Sequence, residues 1–260
     1  MQAWDMARWV RFDADGQLGF GTLEAGTIIE WQGDMFAAPQ LTDRRHALAD
    51  VRLLPPCRPG KMLGLWNNFR ERAKRENLHQ PEHPLYFLKS NNSFAGNGDR
   101  IRRPAGYRGQ VVFEGELGIV IGRRCASFSA AEAHQAIFGY TCVNDVTARD
   151  LLRADPAFPH WTRAKGFDTF GVFGPAIATD LVAAELRVRA LVNGEEKQNY
   201  PVSDMFFSPE EIVSRISADM TLEPGDVIAC GTSVGAGAMN DGDTVEVIID
   251  GVGHLTNLFG

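Results

Sequence analysis

The stretch Val111-Val-Phe-Glu-Gly-Glu-Leu-Gly-Ile-Val-Ile121 restricts the fold of this chain more than any other segment. Its apolar residues and its end at Gly122-Arg-Arg predict one buried strand over residues 111–121. From Leu117 to Ile121 almost every position is apolar or small, the pattern of a strand covered on both faces. Glu114 and Glu116 stand two apart within it, so both carboxylates leave the same side. Two carboxylates on one buried face repel unless a positive group lies between them, and a hard divalent cation prefers oxygen ligands. A solvated face is the competing reading, and the spacing alone leaves both open.

The remaining sequence predicts a β-rich α+β protein with few short helices. Residues 1–58 read as a small N-terminal β domain, with strands at 19–23 and 27–31 and a turn at Gln32-Gly-Asp34. Pro55, Pro56 and Pro59 mark the boundary to a larger domain over residues 59–260. That domain holds apolar strand patterns at 61–66, 85–89, 139–143, 186–192, 227–229 and 244–249, with Asn193-Gly194 as a hairpin turn. Ser129-Ala-Ala-Glu132 and Ser208-Pro-Glu-Glu211 are capping boxes that open helices to about Phe138 and Asp219. Residues 67–77 are charged almost throughout, with only Phe69 and Ala73 as an apolar stripe, which suits either a mobile lid reaching to residue 84 or a surface helix.

Composition excludes several classes. A net charge of −7 argues against a nucleic-acid surface, which needs a basic footprint. No apolar run reaches membrane-spanning length, and Asp5, Arg8 and Arg11 interrupt the N-terminus too early for a signal peptide. The four cysteines are scattered without C-x-x-C spacing, as expected of buried free thiols in a reducing cytoplasm. Neither G-x-G-x-x-G nor a P-loop occurs, which removes NAD and ATP as default cofactors.

Polar residues that end or interrupt apolar segments gather a chemistry: Glu114, Glu116, Asp145, Lys165 and Thr232. A carboxylate triad of this kind suits Mg²⁺, Mn²⁺ or Ca²⁺. Taken singly, Asp145 is a turn former, Lys165 a snorkelling surface lysine and Thr232 a loop cap.

Four motifs in this order resemble the fumarylacetoacetate hydrolase family over nearly all of residues 60–260. They are Val112-Phe-Glu-Gly-Glu-Leu-Gly-Ile-Val-Ile121, Gly139-Tyr-Thr-Cys-Val-Asn-Asp-Val-Thr-Ala-Arg-Asp150, Lys165-Gly-Phe-Asp-Thr-Phe170, and Leu222-Glu-Pro-Gly-Asp-Val-Ile228 with Gly231-Thr232. The closest branch in pattern is that of acylpyruvases and 2-hydroxyhepta-2,4-diene-1,7-dioate isomerases. The resemblance implies a rolled mixed β-sandwich core, usually a homodimer. It implies Glu114, Glu116 and Asp145 as metal ligands, Lys165 as a catalytic lysine beside them, and Thr232, Lys89 and Arg149 as substrate-side residues. Implied substrates are 2-oxo acids: acylpyruvates, or 2-hydroxy-dienedioates from aromatic-compound catabolism. A 2-oxo acid chelates a divalent ion, which stabilises its enolate.

One departure bears on the reaction. Hydrolytic members resemble N-Y-x-x-H-x-x-E, where a His–Glu pair activates water. Aligned on Asn68-Phe69, this chain has Arg72 and Arg75 at those two places. Arginine stays protonated and cannot act as a base. Glu71, Glu76, His79 or His83 would then have to substitute, whereas Arg72 suits a distal substrate carboxylate. The family name favours metal-dependent C–C hydrolysis; the arginine favours isomerase or decarboxylase chemistry. An inactive relative that binds a small dicarboxylate is the alternative outside enzymology.

Overall fold

The protein, a computed structural model, is described from residue 7 to residue 260. Of the N-terminal charges read above, Asp5 lies outside the described residues, while Arg8 and Arg11 belong to the first strand. The N-terminal segment is a meander of β1 (Arg8–Ala14), β2 (Gln17–Glu24), β3 (Thr27–Asp34) and β4 (Ala37–Ala47), with β5 (Arg52–Leu54) paired to β1. The turn expected at Gln32-Gly-Asp34 lies inside β3: a register shift occurs there and the chain reverses after Asp34. Gly33, at φ 95°, takes up the irregularity without a Cβ penalty. β4 escaped the sequence reading because it is an edge strand, mostly exposed and polar, with Pro39 on it.

Beyond the prolines the order is β6 (Met62–Trp66), α1 (Arg70–Glu76), β7 (Leu85–Lys89), β8 (Phe94–Ala95), β9 (Val111–Phe113), β10 (Gly115–Ile121), α2 (Ala130–Ala133), β11 (Ile137–Asp145) and β12 (Thr147–Ala148). Then follow α3 (Trp161–Lys165), β13 (Gly171–Ala178), β14 (Arg187–Val192), β15 (Glu195–Pro201), α4 (Pro209–Asp219), β16 (Val227–Ala229), β17 (Gly237–Ala238), β18 (Thr244–Ile249) and β19 (Gly253–Leu258). Strands dominate and helices are short: the fold is β-rich α+β. Both capping boxes form, at Ser129 and Ser208, and Asn193-Gly194 turns the β14–β15 hairpin with both residues at positive φ.

A twelve-stranded mixed sheet runs β4-β3-β2-β1-β13-β11-β10-β16-β6-β7, with β5 and β8 pairing off this path. Thus the N-terminal meander shares one ladder with the main sheet, through Trp9 opposite Ile177. A four-stranded sheet, β15-β14-β18-β19, packs across β10, β11 and β13. Leu117, Ile119 and Cys142 from one layer meet Ala190, Val247 and Leu255 from the other in a single apolar core. At Gly115 the two layers are in tight contact, since a Cβ there would stand 3.0 Å from the Ala190 methyl. All four cysteines are buried free thiols, and burial pushes Cys57 and Cys142 up to about 12. Among the described residues no helix is long and apolar enough to cross a membrane.

The strand expected over 111–121 is divided at Glu114. β9 belongs to a third, three-stranded sheet with β12 and β17, and β10 belongs to the main sheet. Hydrophobicity continues through the break because both halves are buried, so the sequence pattern carries no trace of it.

The segment over residues 67–84 is firmly held at its start. Phe69 is fully buried and bridges to Met205. Asn68 Nδ2 donates to Cys230 O at 2.9 Å, and its Oδ1 accepts from Phe207 N at 3.1 Å. α1 buries Ala73, while Lys74, Arg75, Glu76 and the loop residues His79 and His83 are exposed. Asn68→Ala leaves a buried carbonyl and a buried N–H without partners, an expected cost of about 2–4 kcal/mol. Urea unfolding of the variant measures it; a cost below about 0.5 kcal/mol would show that α1 is anchored by Phe69 alone.

Candidate metal centre and substrate cavity

The break at Glu114 places the site. The Glu114 N–H donates to Asn144 Oδ1 at 3.1 Å, and its carbonyl accepts from Asp145 N at 2.9 Å. Next along the chain, the Gly115 N–H donates to Gln198 Oε1 at 2.9 Å. β10 and β11 pair with Gly115 opposite Asn144, which brings Asp145 beside Glu114. Glu114, Glu116 and Asp145 each offer a carboxylate oxygen, and these atoms all lie within 4.8 Å of one another.

Two buried lysines face them. Lys89, at the end of β7, donates to Asp145 Oδ1 at 2.5 Å. Lys165, at the end of α3, donates to Glu114 Oε2 at 2.6 Å, Asp145 Oδ2 at 2.5 Å and Thr147 Oγ1 at 2.8 Å. These contacts use all three ammonium protons of Lys165. Burial disfavours the Lys165 cation, but Asp145, Glu114 and Glu116 outweigh it and raise its pKa. For Asp145, burial opposes ionisation while Lys165 and Lys89 override it, holding the carboxyl below its usual range. Glu116 goes the other way. Burial first, then the charges of Asp145 and Glu114, push it well above the usual carboxylate range, against the Lys165 charge and the Gly231 N–H, which donates to it at 2.8 Å.

These residues fit a divalent cation. Glu116 is a fully buried carboxylate whose pKa burial and its acidic neighbours raise, and a cation beside it would favour its ionised form. The triad could therefore hold a metal ion, with Glu114 on the solvent-facing side.

A cavity of about 980 Å³ opens at Glu114. Its wall brings together Arg72, Glu76, Arg149, Arg153, Trp161 and Ser233. Arg72 Nη1 lies 3.4 Å from Glu114 Oε1, and its Nε donates to Glu76 Oε1 at 2.9 Å. Burial works against the Arg72 cation, but Glu114 and Glu76 raise its pKa, so it stays charged. Other expected residues lie elsewhere. Glu71 accepts from Arg75 Nε at 2.8 Å and does not line the cavity. His79 and His83 are exposed and outside the lining. Lys89 is buried behind Asp145. The Thr232 hydroxyl donates inward to Gly115 O at 2.8 Å and accepts from Gln198 Nε2 at 2.8 Å.

Sequence reasoning missed Thr147, Arg153, Gln198, Tyr200 and Ser233. A signal existed for two of them: in β15 the alternation places Gln198 and Tyr200 inward between exposed neighbours.

The comparisons with known proteins agree with this architecture. The model described as "Fumarylacetoacetate (FAA) hydrolase C-terminal" matches residues 61–259, and one described as "Rv2993c-like, N-terminal" matches residues 7–56. The crystal structure of 2-hydroxyhepta-2,4-diene-1,7-dioate isomerase from Mycobacterium marinum is 42% identical, with TM-score 0.89, covering 97% of this chain and 98% of that one. Oxaloacetate tautomerase YisK of Bacillus subtilis is 34% identical over 264 residues, 90% of this chain and 87% of the relative. Maleylpyruvate hydrolase from Sphingobium sp. SYK-6, solved with manganese(II) and pyruvate, is 28% identical, with TM-score 0.80, covering 97% and 99% of the two chains. Family members thus include isomerases, hydrolases and tautomerases built on one fold. With a family model matched from residue 61 almost to the C-terminus and this layered strand-rich core beneath it, the chain belongs to the fumarylacetoacetate hydrolase family.

Proposed function

We propose that the protein is a divalent-metal-dependent enzyme that transfers a proton on a 2-oxo diacid. It would interconvert the keto and enol forms of an oxaloacetate-like substrate, or isomerise a 2-hydroxy-dienedioate. The observation that carries this reading is Arg72, a permanent cation held over Glu114 where a water-activating base would otherwise stand. In support, relatives named as an isomerase and an oxaloacetate tautomerase match over most of the chain.

Glu114, Glu116 and Asp145 would hold Mg²⁺ or Mn²⁺, a Lewis acid able to polarise a 2-oxo group. Lys165 and Lys89 keep the carboxylates in place and offset their mutual repulsion. Glu76, on the cavity wall and oriented by Arg72, is the group assigned to accept the proton from the carbon next to the 2-oxo group. Arg149 and Arg153 line the same cavity and, among the described residues, make no ion pair, whereas Arg72 is shared between two glutamates. They are assigned to the distal carboxylate of the substrate.

A second reading, C–C hydrolysis of an acylpyruvate, draws on the same Glu76: an exposed carboxylate at the cavity could activate water instead. The two separate by product. Ultraviolet absorbance should show accelerated enol–keto conversion of oxaloacetate, lost with chelator and restored by Mg²⁺ or Mn²⁺. Rapid pyruvate release from acetylpyruvate without tautomerase activity would replace the first reading by the second.

Arg149→Ala should raise KM for oxaloacetate about 10- to 100-fold, the worth of a charge-assisted hydrogen bond, and leave a monocarboxylate such as acetylpyruvate nearly unaffected. Equal effects on both would remove Arg149 from the distal position.

Glu116 gives a pH-dependent expectation. Its folded pKa is raised, so its contribution to stability is fully present below the unfolded value near ~4.3 and is lost as pH rises through the folded one. Glu116→Gln should therefore raise the metal-free melting temperature at neutral pH and reduce the additional stabilisation by Mg²⁺. Metal uptake by the unaltered protein should release protons, seen calorimetrically as a dependence on buffer ionisation enthalpy, and the variant should release fewer. An unchanged proton count in Glu116→Gln would take Glu116 out of the ligand set.

A further inference from the structure

We infer that Phe87 is a positioning residue for Lys165: its ring face holds the ammonium at the carboxylate corner when a divalent cation enters the triad. The inference rests on the reading of Glu114, Glu116 and Asp145 as a metal centre.

β7 serves the corner twice. Burial alternates along it, with Phe87 and Lys89 inward and Leu88 exposed between them. Lys89 reaches Asp145 directly. Phe87 acts through α3, both ends of which rest on its ring. Trp161, which opens α3, stacks on the ring at an interplanar angle of 14°, with the centroids 5.2 Å apart. Lys165, which closes α3, places its Nζ 4.8 Å from the ring centroid. A cation within about 6 Å of an aromatic centroid is drawn to the ring face, more strongly where water is excluded. Both side chains are buried here. The ring can lie in this position because Gly64 of β6 pairs with Phe87, and a Cβ there would stand 2.4 Å from Phe87 Cζ.

The other partners of Lys165 show what the ring adds. Its ammonium donates to Glu114 Oε2, Asp145 Oδ2 and Thr147 Oγ1. The first two oxygens belong to the carboxylates of the triad, on which an entering cation would draw. That cation would also repel the ammonium, since like charges at close range in a buried site are costly. Thr147 and the Phe87 ring are the partners outside the triad. Thr147 offers one hydrogen bond; the ring adds an attraction to the charge that needs no carboxylate. Kept in place in this way, the ammonium would stand beside the triad, where the enolate of a 2-oxo acid develops its negative charge.

The test uses the full chain with Phe87→Leu, which keeps an apolar side chain without a ring face. It also uses mono-, di- and trifluorinated phenylalanine at position 87, near-native in volume with a progressively weaker face. In crystals loaded with Mn²⁺, Lys165 Nζ should stay over the ring in the unaltered protein and be withdrawn from Thr147 in Phe87→Leu. The calorimetric Kd for Mn²⁺ should be unchanged or lower in the altered proteins, because an ammonium free to withdraw no longer opposes the cation. With Mg²⁺, kcat for enol–keto conversion of oxaloacetate should fall about 10-fold in Phe87→Leu and stepwise along the fluorine series, with KM changing less than about threefold. Lys165 unmoved in the loaded Phe87→Leu crystals overturns the inference, and so does a kcat that is flat across the fluorine series, since the ring would then only fill space. A Kd for Mn²⁺ raised more than about threefold in the fluorinated proteins overturns it too, because the ring would then shape the carboxylates rather than hold the lysine. If Phe87→Leu does not fold, the trifluorinated protein takes its place in the crystals and the calorimeter. An unaltered protein that binds Mn²⁺ but turns over no oxaloacetate would sink the proposed function alone, and the position of Lys165 would then decide the inference. One that takes up no Mn²⁺ would sink both.

Discussion

Three carboxylates crowded at a buried sheet corner are the constraint on which the rest of the structure depends. Glu114, Glu116 and Asp145 approach within 4.8 Å, where their mutual repulsion would open the corner if nothing opposed it. The fold answers with Lys89 from the end of β7 and Lys165 from the end of α3, each buried against Asp145. Neither lysine is tolerable without the acids, nor the acids without the lysines. A cation entering among the carboxylates would take over part of what Lys165 does, so that lysine acts as a placeholder that keeps the free site assembled. The α3 segment and the loop before it are therefore as much part of the site as the strands.

The sequence exposed much of this, for a physical reason. Charged residues inside apolar strands are costly, so Glu114 and Glu116 in an otherwise apolar run, Asp145 at the end of another and Lys165 among glycines and aromatics stand out. Helix caps and the Asn193-Gly194 hairpin were equally plain, because local backbone chemistry decides them. What stayed hidden depends on tertiary contact. The passage of the chain from one sheet to another at Glu114 leaves no mark when both sides are buried. The edge strand β4 carries too few apolar residues to alternate. Gln198 and Ser233 are ordinary polar residues until the fold buries them beside the site.

The loop over residues 67–84 shows the same division. Its beginning, Asn68 and Phe69, is core, yet in the sequence it merges into a charged segment that suits a lid or a surface helix. That mixed character lets one short helix do two jobs: it is riveted at one end through Asn68, and it carries Arg72 and Glu76 to the cavity at the other.

The Glu114 peptide has a mechanical meaning as well. Its neighbours on one side hydrogen-bond into the three-stranded sheet, and those on the other into the twelve-stranded one. The spacing between the Glu114 and Glu116 carboxylates is therefore geared to the angle between two layers, with Gln198 linking a third through Gly115 and Thr232. Tilting one layer against another by a few degrees would change which cation radius the oxygens accommodate. Core packing far from the cavity would in this way tune ion preference, as a lens mount sets focus without touching the light.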